Sequence, residues 1–306
     1  MLKGHRILMT GLTGRLGGTV AAALAPGNEL WGLARYSGEG QREYWEAAGV
    51  HTIVGDYARG DLSHVPDDFE YVVHIAANCD PRSHEEGMID NADGVARLMH
   101  HCRKAKAFLH TSTVGVYAHK HDPEALYSED DPVGGGSLGH YTGTKLAGEG
   151  VARAMSILFG IPTIICRMAV QYGQYSDGGL PGIYLAEILA GRTVELRQGS
   201  STGLSVISND DVVRFIEPLL GAAAVPPPVV NWCGDVNVPQ VELVEYLASL
   251  AGVEADWKIV EHGGFPAFNM DPAKRLSITG PCQVDWKQGL KRMYENIYAP
   301  REVAAH

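Results

Sequence analysis

Eight residues near the start, Thr10-Gly11-Leu12-Thr13-Gly14-Arg15-Leu16-Gly17, constrain this chain more than any other segment. They follow HRILMTG, an apolar run that reads as a buried strand. They lead into GRLGGTVAAALA, which reads as a helix stopped by Pro26-Gly27. Glycine at every third position between a strand and a helix meets three needs: a tight turn, close approach of a pyrophosphate to the backbone, and tight helix–strand packing. The helix start adds free N–H groups and the positive end of its dipole. Gly11, Thr13, Gly14, Arg15 and Leu16 are therefore candidate contacts for a dinucleotide.

The same alternation continues. ELWGLA, HTIVGD, YVVHIAA, KAFLHTSTVGVYA and IPTIICRMA read as further strands. REYWEAAG, NADGVARLMHHCRKA and a stretch from about Tyr141 to Phe159 read as helices. Strand and helix in turn predict an α/β fold, a doubly wound parallel sheet of Rossmann type with helices on both faces. After Tyr172 the pattern loosens, and from about Val236 it reads as helical and polar, with PPPVVNWCGD supplying one more strand to the main sheet. The expected division is a dinucleotide-binding unit of 1–172 with 209–235 and a smaller α/β substrate lobe of 173–208 with 236–306, a cleft between them.

Composition narrows the function. With 306 residues, 45 % of them apolar, the chain can bury a sizeable core and is not a disordered segment. Twenty-five Lys and Arg against 36 Asp and Glu give a net charge of −11, which argues against nucleic acid or an anionic membrane as partner. The five cysteines are far apart, form no Cys-x-x-Cys pair, and read as free thiols rather than a disulfide frame or a zinc site. No apolar run approaches the roughly 20 residues that span a bilayer, and MLKGHRILMTG has no signal-peptide pattern, so a cytoplasmic protein is expected. His119 with His121, and His100 with His101, read as surface residues for want of a third metal ligand.

Two further features define the expected chemistry. The second strand ends in Leu33-Ala34-Arg35, where NAD-binding sheets place an acid for the ribose 2′-hydroxyl and an arginine suits a 2′-phosphate. Arg35, with Arg15 as a second cation, thus predicts NADP ahead of NAD. Tyr141 and Lys145 stand four apart at the start of a helix, on one face and one turn apart. An ammonium beside a phenol favours the phenolate, and such a tyrosine exchanges a proton with a substrate hydroxyl or carbonyl. Thr113, at the end of the fifth strand, is placed to bind the same oxygen.

On these motifs nearly the whole chain resembles the extended short-chain dehydrogenase/reductases, the group that includes NAD(P)-dependent epimerases and dehydratases. TGLTGRLGG is similar to the glycine motif, and VGDYARGD to the third-strand Asp motif, which makes Asp56, with Tyr57 beside it, an expected cofactor contact. VVHIAAN is similar to the segment lining the nicotinamide side, with Ala76 and Ala77 against the cofactor. The resemblance makes Asn91 the active-site asparagine, Thr113 the substrate-orienting hydroxyl and Tyr141 the general acid/base. It has Lys145 tuning Tyr141 and holding the nicotinamide ribose. It also implies a homodimer packed through the helices near Asn91–Cys102 and Tyr141–Met155.

The departures bear on substrate. Where nucleotide-sugar enzymes of the group read Arg-Pro-x-Asn-Val-Tyr-Gly, this chain reads Arg167-Met168-Ala169-Val170-Gln171-Tyr172-Gly173, so Val170 replaces the asparagine. SSTGLS has no arginine for a diphosphate, leaving Arg192 or Arg197 as substitutes, and Val114-Gly115 lacks the Asp-Glu pair of sugar dehydratases. The expected activity is NADP-dependent interconversion of a small-molecule ketone or aldehyde and its alcohol. The alternative is a sugar (nucleotide-sugar) epimerase with tightly bound cofactor.

Overall fold

The computed structural model describes residues 2–134, 138–173, 178–197 and 202–298. In chain order the first half runs β1 (Arg6–Thr10), α1 (Arg15–Leu24), β2 (Glu29–Ala34), α2 (Gln41–Ala47), β3 (His51–Val54) and β4 (Tyr71–His74). It continues with α3 (His84–Met88), a π turn (Ile89–Asp93), α4 (Gly94–His101), β5 (Ala107–Thr113), α5 (Gly139–Phe159) and β6 (Thr163–Met168). The second half has β7 (Val170–Tyr172), α6 (Gly179–Leu189), β8 (Val194–Arg197), β9 (Gly203–Ser208), α7 (Asn209–Gly221) and β10 (Val229–Trp232). It closes with β11 (Asn237–Pro239), α8 (Gln240–Ala251), β12 (Trp257–Val260), α9 (Ala273–Thr279) and α10 (Trp286–Ile297).

Seven parallel strands form the main sheet in the order β10-β6-β5-β4-β1-β2-β3. Its central strands are continuous apolar runs because both faces are covered. β6 is buried along its whole length, and β5 at all but its last residue. One face packs Ile7, Met9 and Leu109 against α1 and α7; the other packs Leu8, Val72 and Phe108 against Leu98 and Ala152 of α4 and α5. The chain reverses direction of winding between β1 and β4, which are neighbours in the sheet. At such a switch point the loops part and leave a crevice above the strand ends.

The remaining strands make two small sheets, β11-β9-β7 and β12-β8, over a separate apolar core that includes Tyr172, Leu185, Leu196 and Leu243. Two strands here depart from the helical reading after Val236. β11 is three residues and β12 four, and each pairs with a single neighbour, too short a span for alternation to register. PPPVVNWCGD does supply the edge strand β10, paired to β6 from Val229↔Ile165 to Trp232↔Met168. The loop expected between Tyr172 and α6 and the segment SSTGLS lie partly outside the described residues. No helix among the described residues is long and apolar enough to cross a membrane.

Candidate active site

A cleft of about 660 Å³ lies over the ends of β1, β2, β4, β5 and β6 and gathers nearly every residue singled out from the sequence. Gly11, Thr13, Gly14, Arg15 and Leu16 line one part of it; Arg35, Asp56 and Tyr57 a second; Ala76, Ala77, Thr113, Tyr141 and Lys145 a third. Asn91 is the exception.

The glycine turn is fixed by space as well as by conformation. Gly11 has φ 80°, and a Cβ there would sit 2.6 Å from the backbone nitrogen of Ala76. At Gly17 a Cβ would lie 2.0 Å from the Gly11 carbonyl oxygen, so helix and turn touch backbone to backbone. Gly14 caps α1 without a side chain, and no acid occupies the first turn, which leaves that helix end to an anion. Thr10 joins the two strands flanking the crevice: its hydroxyl lies 2.7 Å from Nδ1 of His74 and accepts from the Ala76 N–H at 3.4 Å.

Arg35 directly follows β2, is exposed, and has no ion-pair partner among the described residues. Asp56 uses one carboxylate oxygen to accept from the N–H groups of Ala58 (2.9 Å) and Arg59 (3.2 Å), so it shapes its own turn while facing the cleft. Tyr57 donates to the Asp90 carbonyl at 2.9 Å, and burial pushes its phenol well above the ordinary range.

Asn91 does not line the cleft. It is buried in the π turn, where Oδ1 accepts from the Asn78 N–H at 2.8 Å and Nδ2 donates to the Asn78 carbonyl at 2.9 Å and to Thr144 Oγ1 at 3.1 Å. It therefore ties the segment after β4 to α5, one layer behind the residues that a substrate or cofactor could touch. Its amide is engaged in that clamp, so it meets the cleft through Asn78, which lines it. Position 91 belongs to the right helix; the orientation of its side chain was not legible from spacing.

Tyr141 opens α5 and lines the same cleft as Thr113 at the end of β5 and Cys79. Thr113 also accepts from the Gly115 N–H at 3.2 Å, which holds its side chain in place. Lys145, one turn on, is 1 % exposed, and its Nζ has no hydrogen-bond partner among the described residues. Burial pushes its pKa down to about 8, partly offset by negative charge on Cys79 and Glu149. Burial likewise pushes the Tyr141 phenol well up, with Cys79 adding to the rise and Thr113 opposing it. The lowered phenol pKa expected from the four-residue spacing is thus absent from the protein alone, because burial dominates at Tyr141. Beneath them His74 and His110 stack at 5.4 Å, and burial holds His74 down to about 3. Both imidazoles are neutral and leave the lysine as the cation of this floor.

These features fit a nicotinamide dinucleotide. An ammonium this buried without a partner is costly unless ligand oxygens meet it, and Lys145 shares its cleft with the glycine turn. The lining also includes Asn78, Cys79, Met168 and Gln171. Cys79 is the exposed one of the five cysteines; Cys102, Cys166 and Cys233 are buried and Cys282 half-buried. His140 lies outside the lining, edge-on to His84 at 6.3 Å.

Sheet order, switch-point cleft and glycine turn define a Rossmann-type α/β protein built around a dinucleotide crevice. The family model described as the NAD dependent epimerase/dehydratase family matches residues 7–232, and the chain belongs to that family. It is 25 % identical over 331 residues to UDP-glucuronate 4-epimerase 2 of Arabidopsis thaliana, covering 94 % of this chain and 75 % of that protein. The UDP-glucuronic acid 4-epimerase of Bacillus cereus, solved with UDP-glucuronic acid and NAD, superposes with a TM-score of 0.80 at 22 % identity over 95 % of this chain and 98 % of that one. The UDP-N-acetylglucosamine 4-epimerase of Methanobrevibacter ruminantium gives a TM-score of 0.82 at 17 % identity, over 96 % and 98 %. These two structures share the fold with this chain.

Proposed function

We propose that the chain is a nicotinamide-dependent 4-epimerase of a nucleotide-linked sugar, with a UDP-hexuronate as the first substrate class to test. The observation that bears most weight is the floor of the cleft: Tyr141 beside Thr113, with the unpartnered Lys145 one turn behind. Family membership and the curated 4-epimerase relative support the reaction class.

In this reading Thr113 binds the substrate hydroxyl oxygen and Tyr141 takes its proton as the carbon is oxidised. Tyr141 returns the proton when the opposite face is reduced, so the cycle balances without net redox change. A bound oxidised nicotinamide supplies the hydride acceptor and a positive ring that favours the phenolate. Lys145 holds the ribose hydroxyls, and the glycine turn holds the pyrophosphate. Ala76 and Ala77 keep the wall small enough for a ring to lie against it. Of the two cations weighed for the diphosphate, Arg192 is paired with Glu187. Arg197, the other, stands at the end of β8, near enough to His119 to contribute to its lowered pKa.

A second reading, an NADP-dependent reductase of a smaller carbonyl compound, is favoured by Arg35 without an acidic partner and by Val170 in place of an asparagine. The complexes of the structural neighbours with NAD speak for NAD; Arg35 speaks for NADP. The rest of the proposal is a soluble cytoplasmic homodimer of two-lobed chains, divided at 1–172 with 209–235 and 173–208 with 236–306. It pairs through α4 and α5, where Ile157 and Leu158 are 53 % and 70 % exposed.

The test is turnover of UDP-glucuronate followed by chromatography, with absorbance at 340 nm recorded throughout. Epimerisation with no net absorbance change is expected, and Tyr141→Phe should slow it by about 10²–10⁴-fold. Stoichiometric consumption of reduced cofactor with a ketone or aldehyde, and none of the epimer, would establish the second reading instead.

A further inference from the structure

Among the described residues Tyr36 is the one non-glycine residue in the left-handed backbone region, with φ 47°. A side chain is disfavoured there, and such a residue persists only where its surroundings hold it. Tyr36 is held by its own phenol, which donates to the Gly32 carbonyl of β2 at 2.8 Å. The half-buried ring packs against the core cluster that includes Met9 and Leu12. A glycine makes the room: a Cβ on Gly32 would lie 2.5 Å from Leu12 Cδ1 and 2.8 Å from the Tyr36 hydroxyl oxygen. Glycines stand close by at 38 and 40, and Gly40 takes φ 69° without strain, yet the strained position falls to the residue next to Arg35. Arg35 therefore sits between two fixed points. Before it, the Ala34 carbonyl accepts from the Gly55 N–H at 3.0 Å; after it comes the anchored tyrosine. Arg35 itself is exposed and lines the cleft with Asp56 and Tyr57, whereas Tyr36 does not line it.

We propose that Tyr36 is a positioning residue for cofactor selection: its anchored, left-handed backbone turns the chain at Arg35 and keeps the guanidinium at the cleft for the 2′-phosphate of a phosphorylated nicotinamide dinucleotide. The proposal rests on Arg35 being the cation for that phosphate. A long side chain loses rotamer freedom when it grips a ligand, and a backbone already fixed on both sides lessens what remains to be ordered. NAD carries a hydroxyl where NADP carries the phosphate, so it gains nothing from a well-placed arginine. The anchor thus acts on one of the two cofactors, through a residue that touches neither.

Calorimetry with NADP and with NAD on the full-length wild type, Arg35→Ala, Tyr36→Phe and the double variant decides it. Tyr36→Phe keeps the ring and loses the anchor; it should bind NADP about fivefold more weakly and NAD within about twofold of wild type. In the double variant the loss should be no larger than in Arg35→Ala alone, because the anchor has no cation left to place. Tyr36→Asn accepts the left-handed region but is too short to reach Gly32, so it should match Tyr36→Phe and serves if the phenylalanine variant misfolds. A tyrosine with a structural role alone would lower the unfolding midpoint and move both cofactors alike. That result, no change for either cofactor, or additive losses in the double variant overturns the proposal. If Arg35→Ala fails to separate the two cofactors, the phosphate reading falls and takes the proposal with it. Separation by Arg35→Ala without separation by Tyr36→Phe overturns the proposal alone. No arm needs a substrate, so the outcome stands apart from the fate of the epimerase reading.

Discussion

Two charged groups are buried one turn apart on α5, and they are treated in opposite ways. Glu149 is fully paired: Arg167 donates to it from Nε at 3.0 Å and from Nη2 at 2.8 Å, and Ser112 donates at 2.6 Å. The Arg167 guanidinium also lies 4.7 Å from the centre of the Tyr117 ring, whose hydroxyl donates to Asn231 at 2.6 Å. This cluster knits β5, β6, β10 and α5 together. Lys145, equally buried, has no hydrogen-bond partner for its Nζ among the described residues. A protein does not leave an ammonium dry and unpaired for the sake of its fold. The paired cluster holds the structure, and the unpaired lysine is kept for a ligand.

The contrast can be broken most forcefully at the paired end. Glu149→Ala strands the Arg167 guanidinium in the core, and should cost about 3–5 kcal/mol of stability, read as a lowered midpoint in urea unfolding. A loss below about 1 kcal/mol would put the two clusters on the same footing and remove the comparison.

Lys145→Met should act in the other direction. Lys145 titrates near 8 instead of 10.5, so the unfolded chain binds this proton more tightly than the folded one, and burying the ammonium costs about 3 kcal/mol below pH 8. That penalty is complete below pH 8 and fades as the pH rises toward 10.5. The methionine variant should therefore be the more stable protein at pH 7, by up to about 3 kcal/mol, and lose that advantage by about pH 10.5. Unfolding curves at the two pH values check the sign; a variant destabilised at pH 7 contradicts it.

A smaller effect separates the cofactors. If Arg35 meets a 2′-phosphate, Arg35→Ala should weaken NADP about tenfold, roughly 1.4 kcal/mol, and leave NAD within about twofold by calorimetry. Equal changes for both would return Arg35 to the solvated surface.

Much of the first half was legible because each signal there is local. The glycine turn is eight adjacent residues, Tyr141 and Lys145 are four apart, and the buried strands are unbroken apolar runs. What stayed illegible depends on depth or on distant partners. Asn91 sits in the expected helix, but its amide turns to Asn78 and Thr144, a choice made by packing across the π turn. The raised phenol of Tyr141 comes from burial, which spacing does not report. β7, β11 and β12 are three or four residues long and gain their strand form from a neighbour distant in sequence, Val206 for Val170 and Val194 for Trp257.

The claim that the unpartnered lysine exists for a dinucleotide can be measured directly by thermal unfolding of the wild-type chain and Lys145→Met, each with and without saturating NAD or NADP. At a ligand concentration of about 100 Kd the wild type should gain about 2.7 kcal/mol from at least one of them. Lys145→Met should begin more stable and gain far less. A methionine variant that gains as much as the wild type would show that the ammonium meets no part of the cofactor.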